Sequence, residues 1–235
     1  MTEPKKEIWL MRHGETEWSL SGAHTSRTDL PLLPSGIKQA QELAAKLKNR
    51  KFALVLVSPM QRARETCRLS GVCDGAQVTD DLKEWDYGLY EGRSTAEIRK
   101  ERPDWELWRD GVMQGESLDQ VAARVQRVIQ RCLAVEGDVA LFAHGHVLRI
   151  LTAGWLGLPP NHGQFLALNT GTISVLGFEH EYRVIRRWNC TSPCTPSTAA
   201  IVAVLPQSLQ HAASLPLQQR RRSSATLLRF YPSKM

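Results

Sequence analysis

Three short stretches carry residue types suited to handling a phosphate or carboxylate group. Arg12-His13-Gly14-Glu15-Thr16 places a cation, a titratable imidazole and a conformationally permissive glycine in succession. Ser58 is followed four residues later by Arg62, and His144-Gly145-His146 forms the third group. Arginine grips oxyanions in a planar fork, and histidine acts as nucleophile or acid/base near neutral pH. Each group directly follows a short apolar run, at residues 8–11, 53–57 and 139–143. Runs of that length bounded by polar residues are predicted to be buried strands.

In open parallel sheets, loops converge at the carboxyl ends of the strands, and ligands bind there. Arg12, His13, Arg62 and His144 are therefore expected to face one cavity. They would lie close to the N-terminal ends of helices opening at Ser58 and His146, where free backbone N–H groups favour anions.

The rest of the chain is read as the frame for this arrangement. Residues 18–34 form a loop rich in Ser, Thr, Gly and Pro. Ile37, Ala40, Leu43, Ala44 and Leu47 recur at helical spacing. A helix opens at Ser58-Pro59 and runs to about Leu69. Residues 71–93 are a weak strand and long loop, and residues 94–108 are helical with an interruption at Pro103. Residues 117–135 give a strong amphipathic helix in which Ser117 and Gln120 make a capping box. Residues 147–156 form another apolar helix, and residues 173–178 and 183–188 a closing strand pair. Alternating strands and helices predict an α/β fold. The expected form is a three-layer sandwich with a mainly parallel sheet, one antiparallel edge strand and helices on both faces.

Of 235 residues, 42% are hydrophobic and 23% charged, which is ordinary for a globular protein. No apolar run approaches the ~18 residues that cross a membrane. The N-terminus has no segment apolar enough for a signal peptide, so a cytoplasmic location is expected. Five scattered cysteines do not suggest a disulfide framework, and Cys190 and Cys194 are read as thiols, not zinc ligands. The net charge of +6 is uneven. Five basic and no acidic residues lie from Thr191 onward, leaving 25 basic against 24 acidic residues in 1–190. Two regions are expected: a folded domain over 1–190 and a low-complexity, disordered basic tail over 191–235. Arg220-Arg221-Arg222 could make the tail a tether, although nucleic acid is not the expected partner.

Together, LMRHGET, SPMQRARET, EWDYGLYEG, GESLDQVAARV and AHGH resemble the histidine phosphatase superfamily, in the branch of cofactor-dependent phosphoglycerate mutases and related phosphatases. The resemblance covers about residues 7–188. It implies that His13 is the phosphorylated nucleophile, with Arg12, Arg62 and a protonated His144 around the phosphoryl group. It also implies that Glu84 is the proton donor; spacing alone does not choose Glu84 over Asp81, Asp86 or Glu91. No cofactor or metal is required, and no metal-ligand cluster is visible. Leu33 stands where the family often has Thr before a helix, so a cap is expected to be missing unless Ser35 replaces it.

The short path from Glu91-Gly92 to Gly115-Glu116-Ser117, with His146 where mutases commonly have Asn, resembles the phosphatase subgroup. Residues 21–25 resemble sedoheptulose-bisphosphatase-like enzymes. The reading is hydrolysis of a small phosphomonoester, a sugar phosphate, with Ser19, Ser21, His24, Thr25 and His146 as substrate contacts; Arg27 is a further candidate. Alternatives are mutase-type phosphoryl transfer, or a non-catalytic phospho-ligand or partner-binding protein tethered by its basic tail.

Overall fold

The computed structural model describes residues 6–191. Except for Thr191, the tail expected over 191–235, including Cys194 and Arg220 to Arg222, lies outside the described residues. The elements in chain order are β1 (Ile8–Arg12), α1 (Glu17–Ser21), α2 (Pro34–Leu47), β2 (Leu54–Val57), α3 (Gln61–Leu69) and β3 (Gln77–Val78). They continue with α4 (Thr95–Glu101), α5 (Leu107–Asp110), α6 (Leu118–Ala134), β4 (Val139–Ala143), α7 (Gly145–Trp155), β5 (Ile173–Glu179) and β6 (Tyr182–Cys190). Among the described residues, no helix is long and apolar enough to cross a membrane.

The strands form one sheet in the order β3-β2-β4-β1-β5-β6. β3, β2, β4 and β1 run parallel, while β5 runs antiparallel to both β1 and β6. The mainly parallel sheet agrees with the sequence reading. The reversed strand, however, sits one position in from the edge, because β5 pairs with β1 and the hairpin then places β6 outside it.

The central strands read IWLM, LVLV and VALFA because both of their faces are covered. Alternate residues serve opposite layers. Ile8, Leu10, Leu56 and Leu141 join Val125, Ile129, Leu148 and Leu151 of α6 and α7 in one core. Trp9, Met11, Val55 and Phe142 join Leu43 and Leu47 of α2 and Ala63 and Cys67 of α3 in the other. These are the two helical layers of a sandwich.

Local departures have local causes. α6 has the expected capping box from Ser117 and Gln120. Glu17–Ser21 is a short helix within the expected loop, capped at its start by Thr16 and ended by Gly22 in the left-handed region. The stretch expected to be helical over 94–108 divides into α4 and α5 around Pro103. α3 begins at Gln61, not Ser58, because the Ser58 N–H extends the sheet by donating to the Phe142 carbonyl. Cys67, inside α3, is joined to Cys73 beyond its end, a disulfide that the scattered cysteines did not suggest.

α2 starts behind Leu33, which makes no side-chain cap bond. The Ser35 hydroxyl instead donates to Glu15 Oε2, at 2.6 Å. Leu33→Thr should therefore supply the missing acceptor and stabilise the fold by about 0.5–2 kcal/mol. The corresponding rise in Tm is roughly 2–4 °C per kcal/mol for a domain of this size. A thermal melt showing no rise would mean that the first turn is already satisfied.

Candidate active site

The site is assembled by strand register. Arg12 at the end of β1 lies beside Ala143 of β4, and Val57 of β2 lies beside Phe142. His13 and His144, each one residue further on, then stand beside one another at one edge of the sheet, and Ser58, level with Ala143, stands one step behind them. The His13 N–H donates to the Ala143 carbonyl at 3.0 Å, which continues the ladder into the site.

His13 is 5% exposed. Its Nδ1 lies 2.7 Å from the Gly14 carbonyl oxygen, and a carbonyl can only accept, so Nδ1 carries the hydrogen. Burial, then Arg12 and Arg62, hold this ring's pKa well below the usual histidine value. The ring is therefore neutral, with the lone pair on Nε2. Gly14 is glycine for a steric reason: a Cβ there would sit 2.3 Å from the Gly36 carbonyl oxygen, inside van der Waals contact. The close approach seats the His13 loop on the first turn of α2.

Arg12 donates through Nη1 to the Leu168 carbonyl, while its buried Nε has no hydrogen-bond partner among the described residues. Gly145 opens α7 against this guanidinium; a Cβ there would lie 3.3 Å from Arg12 Cζ. A buried donor without a partner beside a neutral imidazole fits an oxyanion.

Arg62 and His144 lie close to His13, as expected, but do not line the same cavity. The rings of His13 and His144 are 5.1 Å apart. Arg62 Nε donates to His144 Nδ1 at 3.1 Å, so the His144 hydrogen is on Nε2, which donates to Ser58 Oγ at 2.7 Å. Burial, then Arg62 and His13, depress the His144 pKa well below the ordinary value. This corrects the expectation of a protonated His144. Ser58 serves this ring instead of capping a helix. The remaining Arg62 donors meet the carbonyls of Thr25, Ser26 and Thr28. That loop is in turn held by Glu91, which accepts from the N–H groups of Ser26 and Thr28 and from the Ser26 hydroxyl.

Glu84 reaches the site from the long loop after β3. Its Oε1 accepts from the backbone N–H groups of Trp85 at 3.0 Å and Val147 at 2.8 Å. Its Oε2 accepts from that of His146 at 2.9 Å. The first turn of α7, where N–H groups have no intrahelical partners, thus grips the carboxylate.

A cavity of about 170 Å³ has Arg12, His13 and Glu84 in its wall. Ser19, His24, Thr25 and His146 also line it. The Ser19 hydroxyl is nevertheless engaged with Thr16, and the Thr25 hydroxyl with the Ala23 carbonyl. Ser21 and Arg27 are elsewhere. The Ser21 hydroxyl donates to the Trp18 carbonyl one turn back, and Arg27 is salt-bridged to Asp86. Three residues between Ser21 and Thr25 carry the chain around the Gly22 turn, so the two ends face differently.

Tyr87, Trp18 and Arg149 are further wall residues that the sequence reading did not single out. Tyr87 lies within EWDYGLYEG, and its hydroxyl is 2.7 Å from His146 Nδ1. Arg149 is the single charge in the apolar helix GHVLRILTAGW, which was the available signal. It stands over the Trp108 ring and donates to the carbonyls of Gly163 and Gln164. His24 packs on Tyr87 at 4.7 Å and on Trp105 at 5.9 Å. Burial brings its pKa down to about 4.

His13, His24, His144 and His146 all have lowered pKa values, in each case chiefly through burial. The folded chain binds these protons more weakly than the unfolded chain, whose histidines titrate near ~6.5. Protons taken up by the unfolded state thus favour unfolding as pH falls below that value, and stability is lost there. Thermal melts should show Tm declining between about pH 6.5 and 5, above the range of ordinary carboxylates. A flat Tm over that interval would show that the rings charge in place.

Residues 8–191 match the model of the histidine phosphatase superfamily, branch 1. An acid phosphatase of Mycobacterium tuberculosis is 39% identical over 199 residues, covering 82% of this chain and 96% of that protein. A sedoheptulose 1,7-bisphosphatase of Saccharomyces cerevisiae is 40% identical over 182 residues, covering 63% of this chain and 67% of the yeast protein. The solved structure of an open reading frame product of Mycobacterium tuberculosis superposes with a TM-score of 0.75 at 36% identity, covering 79% of this chain and 98% of that one. The chain belongs to branch 1 of the histidine phosphatase superfamily, as a phosphoric monoester hydrolase.

Proposed function

We propose that this hydrolase cleaves a small phosphomonoester, a sugar phosphate, through a phosphohistidine on His13 with Glu84 as proton donor. The observation that carries the reading is the tautomer of His13. Its Nδ1–H is tied to the Gly14 carbonyl, so the lone pair is on Nε2, and the preceding residue, Arg12, keeps a buried Nε without a partner among the described residues.

In the first step, the His13 Nε2 lone pair attacks phosphorus and the ester P–O bond breaks. The leaving alkoxide takes its proton from the Glu84 carboxyl group. In the second step, water attacks phosphorus, gives a proton to the Glu84 carboxylate, and the P–N bond breaks to release phosphate and neutral His13. Splitting one displacement into two lowers each barrier. Phosphoryl transfer depends mainly on positioning and on stabilising charge on the equatorial oxygens. Arg12 supplies a donor directly, with Arg62 and His144 behind His13.

The sugar-phosphate assignment draws support from other residues of the cavity wall. His24, Tyr87, His146 and Arg149 offer neutral donors and acceptors, apolar ring faces and one cation. Hydroxyl-rich carbon chains are met by such surfaces, and Arg149 could receive a second anionic group. The name of the yeast relative points to the same substrate class.

A phosphate-release assay over a panel of metabolites, with His13→Ala as the blank, tests the mechanism. Wild type should release phosphate and acquire label on His13, and His13→Ala should lose at least ~10³-fold. Equal release by both proteins, or label on His144, would overturn it. No preference for sugar phosphates would remove the substrate assignment. Interconversion of phosphoglycerates that needs 2,3-bisphosphoglycerate priming would favour a mutase.

A further inference from the structure

Two residues of the motif GESLDQVAARV, Glu116 and Arg124, are absent from the wall of the His13 cavity. Arg124, on the second turn of α6, is 7% exposed. Its guanidinium engages all five of its N–H groups. Nε and Nη2 donate to the two oxygens of Glu116, at 2.8 and 2.9 Å. Nη1 donates to the carbonyls of Asp81 and Lys83, at 2.9 and 2.6 Å, and Nη2 to the carbonyl of Glu84 at 3.1 Å. Glu116 extends the clamp: its Oε2 accepts from the Asp86 N–H, and its carbonyl accepts from the Trp85 indole. The loop bearing Glu84 is therefore fastened through its backbone to α6, while its carboxylate is fastened to the first turn of α7.

We propose that Arg124 is a positioning residue for proton transfer at Glu84, an inference that rests on the role given to Glu84 above. Three carbonyls and a carboxylate converge on one plane, and only a guanidinium offers five donors in that fork. A lysine supplies a point charge and leaves carbonyls of the loop without donors. Glu84 must lie within ~2.6–3.2 Å of the leaving oxygen to protonate it, so slack in the loop appears as lost proton transfer.

The consequence depends on the leaving group. An alkyl ester such as glycerol phosphate expels a basic alkoxide and needs the proton, whereas p-nitrophenyl phosphate expels a stable phenolate and does not. The value of kcat/KM reports the steps through formation of the phosphoenzyme. Arg124→Lys should lower it ~10²-fold for glycerol phosphate and only a few-fold for p-nitrophenyl phosphate. Glu84→Gln should show the same selectivity with a larger loss. In the Glu84→Gln background, Arg124→Lys should add no further selectivity, since both changes act on one step. Where Arg124→Lys fails to fold by thermal melt, Glu116→Gln carries the same comparison, because it weakens the grip on the guanidinium while keeping side-chain shape. Equal loss on both esters in Arg124→Lys, with selectivity retained in Glu84→Gln, overturns the positioning role alone. Equal loss in Glu84→Gln itself overturns the acid role and this inference with it.

Discussion

The alignment of three parallel strand ends is the constraint from which the rest follows. Because Arg12 pairs with Ala143 and Val57 with Phe142, His13 and His144 stand beside one another with Ser58 one step behind them. A slip of one residue in any of these strands would turn its side chains to the opposite layer and move its polar terminus out of the row. The apolar cores above and below the sheet oppose that slip, since each alternate side chain already has a layer to fill. Core packing and catalytic geometry are thus set by the same register.

The second constraint is charge. Arg62 is fully buried and Arg12 partly so, yet neither makes a salt bridge among the described residues. Burying a cation without a counter-ion is costly. The fold offsets part of that cost with dipoles: the carbonyls of Thr25, Ser26 and Thr28 and the ring of His144 receive Arg62, and that of Leu168 receives Arg12. Such partners leave the pocket net positive. Burial first, and that field second, keep His13 and His144 neutral, and the field favours a phosphoryl dianion over solvent. Glu84 is held by backbone N–H groups rather than by an arginine side chain, so its carboxylate does not cancel that field by contact.

Much of this was legible before folding. The apolar runs ending in Arg12-His13, Ser58 and His144 announced buried strands with polar ends, and their repetition announced a shared edge. The capping box at Ser117 followed from local chemistry, and the absent cap at Leu33 from the family resemblance. Harder to read were residues whose partners lie far away in the chain. Ser58 had the profile of a helix cap, and only the β2–β4 pairing turned its hydroxyl to His144. Tyr87 and Arg149 had the profile of core and helix-surface residues. Ser21 and Thr25 looked equivalent, yet the Gly22 turn sends one outward and the other to the cavity wall.

The sequence by itself determined which elements form and which residues end the strands, because strand burial and helix capping depend on neighbours within a few positions. It also determined the chemical kind of the site, since a buried imidazole beside arginines suits few tasks. Only the tertiary structure decided protonation and grip. The hydrogen of His13 is placed by the Gly14 carbonyl in a turn wedged against Gly36, and that of His144 by Arg62 from 82 residues away. Glu84, indistinguishable in the chain from Asp81, Asp86 or Glu91, is set apart by the first turn of α7, whose free N–H groups face it alone among them. Those choices rest on contacts between distant segments, which spacing along a chain does not encode.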